Sequence, residues 1–314
     1  MQKSVPSFLQ SESWQNLQKF IGKEAFMVKI EQFSILAIKN KLPLGLNYLY
    51  IPHGPEVDIL SNPKLFDEFK NQIILLAKKE KSVFVKIDPC VSSTDKILST
   101  LKLANFNRAP EMQPERTIYI KLTEELEKIQ NDMEAETRYA VRTAIKRGVK
   151  VKIAKTISEK KEYFELFWNM FVHTLERRDL ISYPKSYFEK LILFADEIHT
   201  DLYLAEIDNH KPISGAIFLK YKEDYVYLFA ASENGYGRFN APSLILWRAI
   251  EEAKNEKCKI LDLWGISYSK KKWLGLTKFK KSFGGKVIRY IGAWEFSIRP
   301  IFYLVYKLGK KIRS

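Results

Sequence analysis

Lysine side chains alternate with aromatic rings in one segment of the chain, SKKKWLGLTKFKKSFGGK, which runs from Ser269 to Lys286. Ammonium groups neutralise phosphates, and aromatic faces stack on bases or sugars. The segment is therefore typical of contact with a single-stranded or 3′-terminal nucleic acid. The alternative interpretation is a charged surface that only faces solvent.

A second basic group lies on a predicted helix that spans residues 125–148. Apolar residues at mixed spacings of three and four predict the helix, and Gly148 predicts its end. Arg138, Arg142 and Lys146 follow one another at i, i+4 and i+8, so they form one cationic stripe. An alternating segment, KVKIAK, comes directly afterwards and predicts a strand.

These two basic groups account for more than the whole net charge of +15. Residues 270–314 contain 13 Lys or Arg against one acid, and residues 138–155 contain seven with no acid. The rest of the chain is therefore mildly acidic. Such an uneven distribution indicates anionic partners, which include nucleic acid, phosphorylated substrates and acidic lipid headgroups.

Two aspartates end predicted apolar strands, where side chains enter a cleft at the carboxyl edge of a sheet. Asp88 lies in FVKIDP and Asp262 lies in LDLWG. A carboxylate at such a position can take part in chemistry or can cap the turn that follows the strand. Both interpretations stay open for Asp88, whereas the structural one is favoured for Asp262.

The composition fits a folded protein of two domains or of one large α/β unit. The 314 residues are 46% hydrophobic and 28% charged, which excludes disordered, collagen-like and disulfide-scaffold proteins. Cys90 and Cys258 lack the spacing of a metal cluster. No apolar segment approaches the roughly 18 residues of a membrane span, and the first residues lack the apolar region of a secretory signal. We therefore expect a reducing, cytoplasmic setting.

The two halves of the chain show the same predicted order of elements: helix, antiparallel strands, helix, buried strand. The order in the second half resembles an N-acetyltransferase-like (GNAT) unit, in which a turn with glycines holds the pyrophosphate of coenzyme A. Here the turn contains Gly235 and Gly237, but the bulky sequence RFNAP at residues 238–242 crowds the entry to the helix. Use of acyl-CoA is therefore disfavoured.

Motifs in a fixed order cover nearly the whole chain. They are FLQSESW near the start, YIPHGP at 50–55, FVKIDP at 84–89, MQPERTIYIKL at 112–122, the cationic stripe followed by GVKV, TLER at 174–177, LDLWGI at 261–266 and GLTKFKKSFGG at 275–285. Together they resemble the FemABX family of peptidoglycan-bridge aminoacyltransferases. The resemblance implies an α/β fold of two tandem GNAT-like domains with a cleft between them and no coiled-coil arm. The first domain is expected at residues 1–148, completed by residues 286–314, and the second at residues 149–285.

The activity that the resemblance implies is nonribosomal peptidyl transfer. An amino acid would move from aminoacyl-tRNA to an amino group in the stem peptide of a peptidoglycan precursor, either nucleotide-linked or lipid-linked. Aminolysis of an ester needs no metal and no cofactor. Two alternatives stay open: an N-acyltransferase that uses acyl-CoA, and a nonenzymatic tRNA-binding protein of the same fold. The basic, amphipathic C-terminal tail is expected to dock on the first domain and to contact the inner face of the plasma membrane.

The resemblance also implies roles for single residues. Phe279 and Lys280 would meet the acceptor end of the tRNA, with Lys280 stabilising the negative charge of the transition state. Asp88 would orient the acceptor amine or receive its proton. Arg177 of the TLER motif would clamp the diphosphate of the precursor.

Further residues are expected to bind the substrates. Lys19 is the nearest candidate for an N-terminal phosphate-binding lysine, although Gln18 is an alternative occupant of that position. His53 lies in a loop where basic residues are common in the family. Two tyrosines on one face of a strand either line the peptide channel or pack in the core; they are Tyr225 and Tyr227. The tRNA is expected to contact Arg138, Arg142, Lys146, Lys278 and Lys281.

Overall fold

The structure is a computed structural model that describes residues 7–207 and 211–313, the last three of them by their backbone alone. The chain forms two compact units. Unit 1 comprises Met1–Glu115 and Arg289–Ser314, and unit 2 comprises Arg116–Ile288. Within the described ranges, none of the helices combines the length and the apolar character that crossing a bilayer requires.

Unit 1 contains a six-stranded sheet in the order β1-β2-β3-β4-β13-β5. Its strands are β1 (Ala25–Ile30), β2 (Phe33–Lys41), β3 (Asn47–His53), β4 (Phe84–Pro89), β5 (Asn107–Arg108) and β13 (Trp294–Ser297). Its helices are α1 (Glu12–Phe20), α2 (Val57–Ser61), α3 (Pro63–Lys79), α4 (Asp95–Leu103) and α11 (Pro300–Arg313).

The centre of unit 1 is a helical crossover between two parallel strands. β1, β2 and β3 form an antiparallel meander, and β3 then pairs in parallel with β4. α2 and α3 connect these two strands. Asn62 caps α3 by accepting hydrogen bonds from two amides of its first turn. One face of α3 is buried in the core of the unit through Leu65, Phe66, Phe69, Ile73 and Ala77.

Unit 2 contains a seven-stranded sheet in the order β12-β6-β11-β10-β9-β8-β7. Its strands are β6 (Arg116–Lys121), β7 (Lys150–Ala154), β8 (Ile198–Ile207), β9 (Lys211–Tyr221), β10 (Asp224–Ser232), β11 (Ile260–Asp262) and β12 (Lys286–Arg289). Its helices are α5 (Leu126–Asn131), α6 (Ala135–Lys146), α7 (Ile157–Arg178), α8 (Lys185–Leu193), α9 (Ala241–Asn255) and α10 (Leu274–Lys281).

Both sheets follow the same plan. In each, an antiparallel meander leads through a helical crossover to a parallel strand, which is β4 in unit 1 and β11 in unit 2. The other edge of that strand pairs with an antiparallel strand from elsewhere in the chain, β13 or β6. The predicted α/β class and the predicted duplication are confirmed.

The division between the units falls after Glu115, whereas the family resemblance implies a division after residue 148. The reason is that β6 pairs with β11, which makes residues 116–121 part of the second sheet. α6 then packs on α9 of the same unit. No local pattern in the sequence reveals this pairing, because its partner strand lies more than a hundred residues further along the chain.

The helix predicted at residues 125–148 is interrupted. α5 ends at Asn131 and α6 begins at Ala135. The guanidinium of Arg138 donates to the carbonyl oxygens of Asn131 and Met133, and the amide of Glu134 donates to the carbonyl oxygen of Ser282 at 2.9 Å. These contacts satisfy backbone groups that the break exposes.

Candidate functional site

Lys280 is a buried cation on the short helix α10. The residue is 5% exposed, and its Nζ donates to the main-chain oxygen of Gly265 at 2.9 Å. The ring centroid of Tyr227 lies 5.5 Å from Nζ. One turn earlier, Thr277 exchanges two hydrogen bonds with Ser267. α10 is thereby tied to the loop that follows β11.

The environment of Lys280 lowers the pKa of its side chain to a near-neutral value. Burial lowers the pKa of Lys280 to about 7, and the nearby carboxylate of Asp262 opposes part of that shift. An exposed lysine, with a pKa of ~10.4, holds its proton at all physiological pH values. Lys280 can therefore supply a poorly solvated positive charge or exchange a proton, two properties that active sites use.

Asp262 holds the loop between β11 and α10. Its Oδ1 accepts a hydrogen bond from the hydroxyl of Thr117 and another from the amide of Trp264 at 2.8 Å. Trp264 has a φ of 57°, in the left-handed region that side-chain-bearing residues seldom adopt. This geometry supports the structural interpretation of Asp262 that the sequence favours.

A concave pocket of about 530 Å³ lies beside α10 within unit 2. Phe279 lines it, and the same ring packs edge-to-face on Phe283 with centroids 5.3 Å apart. The start of α9 also faces the pocket. The remaining lining residues come from α6, α9 and α10 and their flanks: Glu134, Glu136, Thr137, Ala140, Asn240, Ser243, Gly275, Lys278 and Ser282.

Two glycines let the chain leave α10 in a confined space. Gly284 and Gly285 have φ values of 77° and 85°. A Cβ on Gly284 would lie 2.6 Å from the main-chain oxygen of Asp132, and one on Gly285 would lie 2.6 Å from that of Tyr119. Only glycine fits both constraints, so the SFGG sequence is a structural requirement for placing α10.

The turn between β10 and α9 uses its amides internally. The amides of Phe239, Asn240 and Ser243 donate to the carbonyl oxygens of Tyr236, Gly237 and Asn240. In GNAT enzymes this turn offers its amides to a pyrophosphate. The engagement of these three groups supports the expectation that acyl-CoA is disfavoured.

Asp88 is the last residue but one of β4, and it gathers three hydrogen-bond donors. Its Oδ2 accepts from the hydroxyl of Tyr50 at 2.6 Å and from the amide of Gln113 at 3.0 Å, while Oδ1 accepts from the amide of His53 at 2.9 Å. Burial raises the pKa of Asp88 to about 6, and these hydrogen bonds limit the rise. The carboxyl group can therefore change its protonation near neutral pH.

His53 is a buried residue at the end of β3 that Ser7, in the N-terminal segment, contacts. Its φ is 54°, and its Nδ1 lies 2.8 Å from the hydroxyl of Ser7. The side chain of Gln10, which belongs to the FLQSESW motif that directly follows Ser7, bonds the main chain of Leu36 and Pro52. Ser7 and Gln10 together fix the end of β3 beside Asp88. In this structure the contacts of His53 suit a positioning role better than direct binding.

A buried ion pair near Asp88 is not predicted by the sequence pattern. Lys86 Nζ lies 3.1 Å from Glu295 Oε1, with side-chain exposures of 4% and 3%. The hydroxyl of Tyr303 donates to the other carboxylate oxygen at 2.9 Å. Burial lowers the pKa of Lys86, and the charge of Glu295 opposes the change. The available signal was a charged residue between apolar neighbours in each of two strands, Lys86 and Glu295, which does not reveal that they pair.

Tyr225 and Tyr227 share one face of β10, and both stack on Phe218 with centroid distances of 5.2 and 5.0 Å. Tyr225 is fully buried and donates to Asp201 Oδ2 at 2.6 Å. Of the two interpretations that stay open for Tyr225, these contacts support packing in the core. Tyr227 is the residue beside Lys280, and the bulge between Tyr227 and Phe229 changes the direction of the side chains there.

The predicted tRNA-binding residues differ in solvent exposure and in the contacts that they already make. Arg138 holds carbonyl groups at the end of α5 and is only half-exposed, whereas Arg142 and Lys146 are exposed. Lys278 is also exposed, and Lys281 lies with its Nζ 5.6 Å from the ring centroid of Tyr268. The structure therefore gives Arg138 a structural task and leaves the others available to a ligand.

The two predicted phosphate-binding residues both lie at helix ends. Arg177 is in the last turn of α7, where its Nη2 donates to the main-chain oxygen of Ser232 at 3.2 Å. Lys19 is exposed in the last turn of α1, while Gln18 is 3% exposed. Because Gln18 points into the core, Lys19 is the member of this pair that a phosphate can reach.

One group of residues in unit 2 has the composition of a metal site. The ligand atoms of His199, Asp201 and Glu256 lie within 4.8 Å of one another. Lys220 Nζ, however, lies 2.5 Å from Glu256, and the hydroxyl of Tyr225 donates to Asp201. These partners already neutralise or satisfy the carboxylates, so we assign no metal to the group.

The duplicated plan defines the class of protein: an α/β chain of two tandem GNAT-like units. Solved structures of similar fold include FemX, with a TM-score of 0.80 and 20% identity over 95% of this chain and 94% of that one. L-PGS from Bacillus licheniformis has a TM-score of 0.58 and 9% identity over 97% and 98% of the two chains. A tandem GNAT protein from the clavulanic acid biosynthesis pathway has a TM-score of 0.51 and 9% identity, covering 84% and 78%.

The chain belongs to the FemAB family, whose model matches residues 1–99, 99–211 and 197–311. A curated relative, the lipid II:glycine glycyltransferase of Staphylococcus epidermidis, is 22% identical over 99% of this chain and 93% of its own length. Aminoacyltransferase FemA of the same species is 29% identical over 35% of this chain and 27% of its own length. The predicted family is confirmed.

Proposed function

We propose that the protein transfers an amino acid from aminoacyl-tRNA to an amino group in the stem peptide of a peptidoglycan precursor. The observation that carries the proposal is Lys280, a buried lysine with a pKa of about 7, in a chain of the FemAB family. Its neighbour Phe279 and the nearby Lys278 line a pocket of unit 2. An aromatic ring and an ammonium group are the contacts that a single-stranded RNA end favours.

The proposed reaction is aminolysis of the ester that joins the amino acid to the tRNA. The acceptor nitrogen attacks the ester carbonyl and loses a proton, a C–N bond forms, and the ester C–O bond breaks. The departing ribose oxygen gains a proton. Lys280, when protonated, stabilises the negative charge on the carbonyl and ribose oxygens, and Asp88, when ionised, orients the amine or accepts its proton.

The exposed cations of unit 2 are proposed to hold the body of the tRNA. Arg142 and Lys146 are free to approach phosphates, and Lys281 lies beside the ring of Tyr268. Arg177 and Lys19 are proposed to contact the phosphates of the precursor. One relative acts, by its name, on lipid II, which favours a lipid-linked acceptor. Such an acceptor would place the reaction at the inner face of the plasma membrane.

Mass spectrometry on complete reactions tests the proposal. The full chain is incubated with a pool of charged tRNAs and with nucleotide-linked and lipid-linked precursors, and the mass increment of each precursor is read. We expect the increment of one amino acid on one acceptor, absent when the tRNA is deacylated. Equal binding of charged and uncharged tRNA without any product would favour a nonenzymatic tRNA-binding protein. Saturable binding of CoA together with acyl transfer would favour an acyl-CoA enzyme.

A further inference from the structure

The C-terminal helix α11 has two faces of different character. Tyr303 and Tyr306 pack on Phe84, with ring centroids 5.5 and 4.9 Å away. This contact attaches the helix to unit 1. On other positions, large apolar side chains remain exposed to solvent, by 39% to 78%: Ile301, Phe302, Leu304, Val305 and Leu308.

The exposed apolar residues of α11 form one surface. Ile301, Leu304, Val305 and Leu308 follow the spacing i, i+3, i+4 and i+7, which places them along one side of a helix. The two docked tyrosines fall between these positions and therefore on another side. An exposed apolar surface of this kind marks an interaction site, because a chain that kept it in water would lose hydrophobic stabilisation.

Cations flank this apolar surface, and at 100° per residue Lys307 and Lys310 fall on the side of the helix that carries Tyr303 and Tyr306. The guanidinium of Arg299 lies 3.8 Å from the ring centroid of Phe302, and Nζ of Lys307 lies 4.7 Å from that of Tyr303. Lys310 is exposed further along the helix. The sequence from residue 296 onward contains no acid, and Glu295 is buried against Lys86. Basic side chains beside an apolar helix face match the headgroups and the acyl boundary of an anionic bilayer.

We propose that α11 is an interfacial helix that docks unit 1 on a membrane of anionic phospholipid. Its apolar face enters the boundary between headgroups and acyl chains, and its cations contact the phosphates. At 14 residues the helix is about 21 Å long, too short for a hydrocarbon layer of ~30 Å, so it lies along the surface. A symmetric dimer through the same face would bring together two helices that carry only positive charges, and these would repel each other. An anionic membrane therefore suits this face better than a second copy of the chain.

This inference deepens the proposed function, because an interfacial helix would bring the chain to a lipid-linked acceptor. The two can nevertheless fail separately. Vesicle binding requires no aminoacyl transfer, and transfer to a nucleotide-linked precursor requires no membrane.

Flotation of the full chain with lipid vesicles tests the inference. The vesicles contain either phosphatidylcholine alone or phosphatidylcholine with 30% phosphatidylglycerol. We expect at least about tenfold more bound protein on the anionic vesicles, falling as the salt concentration rises. The double variant Leu304→Glu/Leu308→Glu should lose this binding. The control Leu103→Glu changes a leucine that is 85% exposed on α4 of the same unit and should bind like the parent.

Two further measurements keep the outcome decisive. The temperature of the thermal unfolding transition is compared between the parent, Leu304→Glu/Leu308→Glu and Leu103→Glu. All three leucines are exposed, so these substitutions should leave folding unchanged. Lys307→Gln/Lys310→Gln should reduce the preference for anionic vesicles while weak binding to neutral ones persists. Failure of the parent chain to bind anionic vesicles overturns the proposal. Retained binding by the double glutamate variant, or a dimer of the parent that this variant abolishes, overturns it as well.

Discussion

A hydrogen bond of 2.9 Å joins the buried ammonium of Lys280 to the main-chain oxygen of Gly265. It connects α10 to the loop that Asp262 holds through Thr117 and the amide of Trp264. A charge that stabilises a transition state works best when its position is fixed before the reaction, because no reorganisation is then needed. The loop after β11 therefore matters to the proposed chemistry as the support of Lys280.

Replacing Lys280 with methionine should remove most of the activity. We expect Lys280→Met to reduce kcat by roughly 10²- to 10³-fold, the effect of deleting one charge-stabilising donor, while precursor affinity changes little. Single-turnover kinetics with charged tRNA measures the first quantity and calorimetry the second. An unchanged kcat would exclude Lys280 from the mechanism.

The same substitution should improve stability, and more so at low pH. A lysine with a folded pKa of about 7 is protonated in both states below that pH, where burial of the ammonium costs most. As the pH rises from 7 towards the unfolded pKa of ~10.4, the folded chain releases its proton first and the cost falls. The gain from Lys280→Met should therefore be about 2 to 3 kcal/mol larger at pH 6 than at pH 9. Urea unfolding at both pH values measures it, and Lys278→Met, an exposed change on α10, should show no such difference.

The activity should depend on pH as a bell-shaped curve. Asp88, with a pKa of about 6, must be ionised to assist the amine, so the rate should rise as the pH increases through 6. Lys280, with a pKa of about 7, must be protonated to stabilise negative charge, so the rate should fall above 7. The profile of kcat/KM with a nucleotide-linked acceptor reports both groups of the free enzyme.

Removing the hydroxyl of Tyr50 tests whether Asp88 is the group that titrates on the acidic limb of that curve. Tyr50 donates to Asp88 and thereby limits the rise of its pKa. Tyr50→Phe should move the acidic limb to higher pH and leave the alkaline limb in place. Tyr183→Phe, a half-exposed tyrosine of unit 2, serves as the control. A limb that stays at the same pH in Tyr50→Phe would mean that another group titrates there.

The salt dependence of tRNA binding should distinguish the members of the cationic stripe. Removing one cation from a phosphate lowers the slope of log K against log salt by roughly 0.7 to 0.9. Arg142→Gln/Lys146→Gln should therefore reduce the slope, whereas Arg138→Gln should chiefly lower stability because Arg138 holds the end of α5. Fluorescence anisotropy at several salt concentrations gives the slopes. Lys78→Gln, on α3, is the control for removal of a surface charge. A slope for Arg142→Gln/Lys146→Gln equal to that of the parent would place the tRNA elsewhere.

Breaking the buried pair of unit 1 should be costly, and removing both charges should repair much of the damage. Lys86→Met leaves the Glu295 carboxylate without its cation, which should cost about 3 to 5 kcal/mol. Lys86→Met/Glu295→Gln should recover most of it, because the amide oxygen can still accept from Tyr303. Urea unfolding provides the values. Lys128→Met, which breaks the exposed pair with Asp132, should cost less than about 1 kcal/mol. If Lys86→Met cost as little as Lys128→Met, the Lys86–Glu295 pair could not be buried as described.

Local pattern in the sequence revealed helices and strands, the duplicated order of elements and the concentration of positive charge, but not the break between α5 and α6. Period and turn signals act over a few residues, and the predicted strand KVKIAK corresponds to β7, Lys150–Ala154. Asp88 and Asp262 at strand ends were likewise visible, and the motifs indicated the family. These features depend on near neighbours in the chain, so a sequence is sufficient to reveal them.

The tertiary structure alone decided which of these residues are buried and with whom they pair. The pairing of β6 with β11 moved the boundary to Glu115, and the pairing of β4 with β13 joined Lys86 to Glu295. Burial placed Tyr225 in the core and lowered the pKa of Lys280. Contacts between residues far apart in the chain, and the exclusion of solvent they cause, have no local signature. The electrostatics of the candidate site follows from them, since the desolvation that shifts a pKa exists only once the chain has folded.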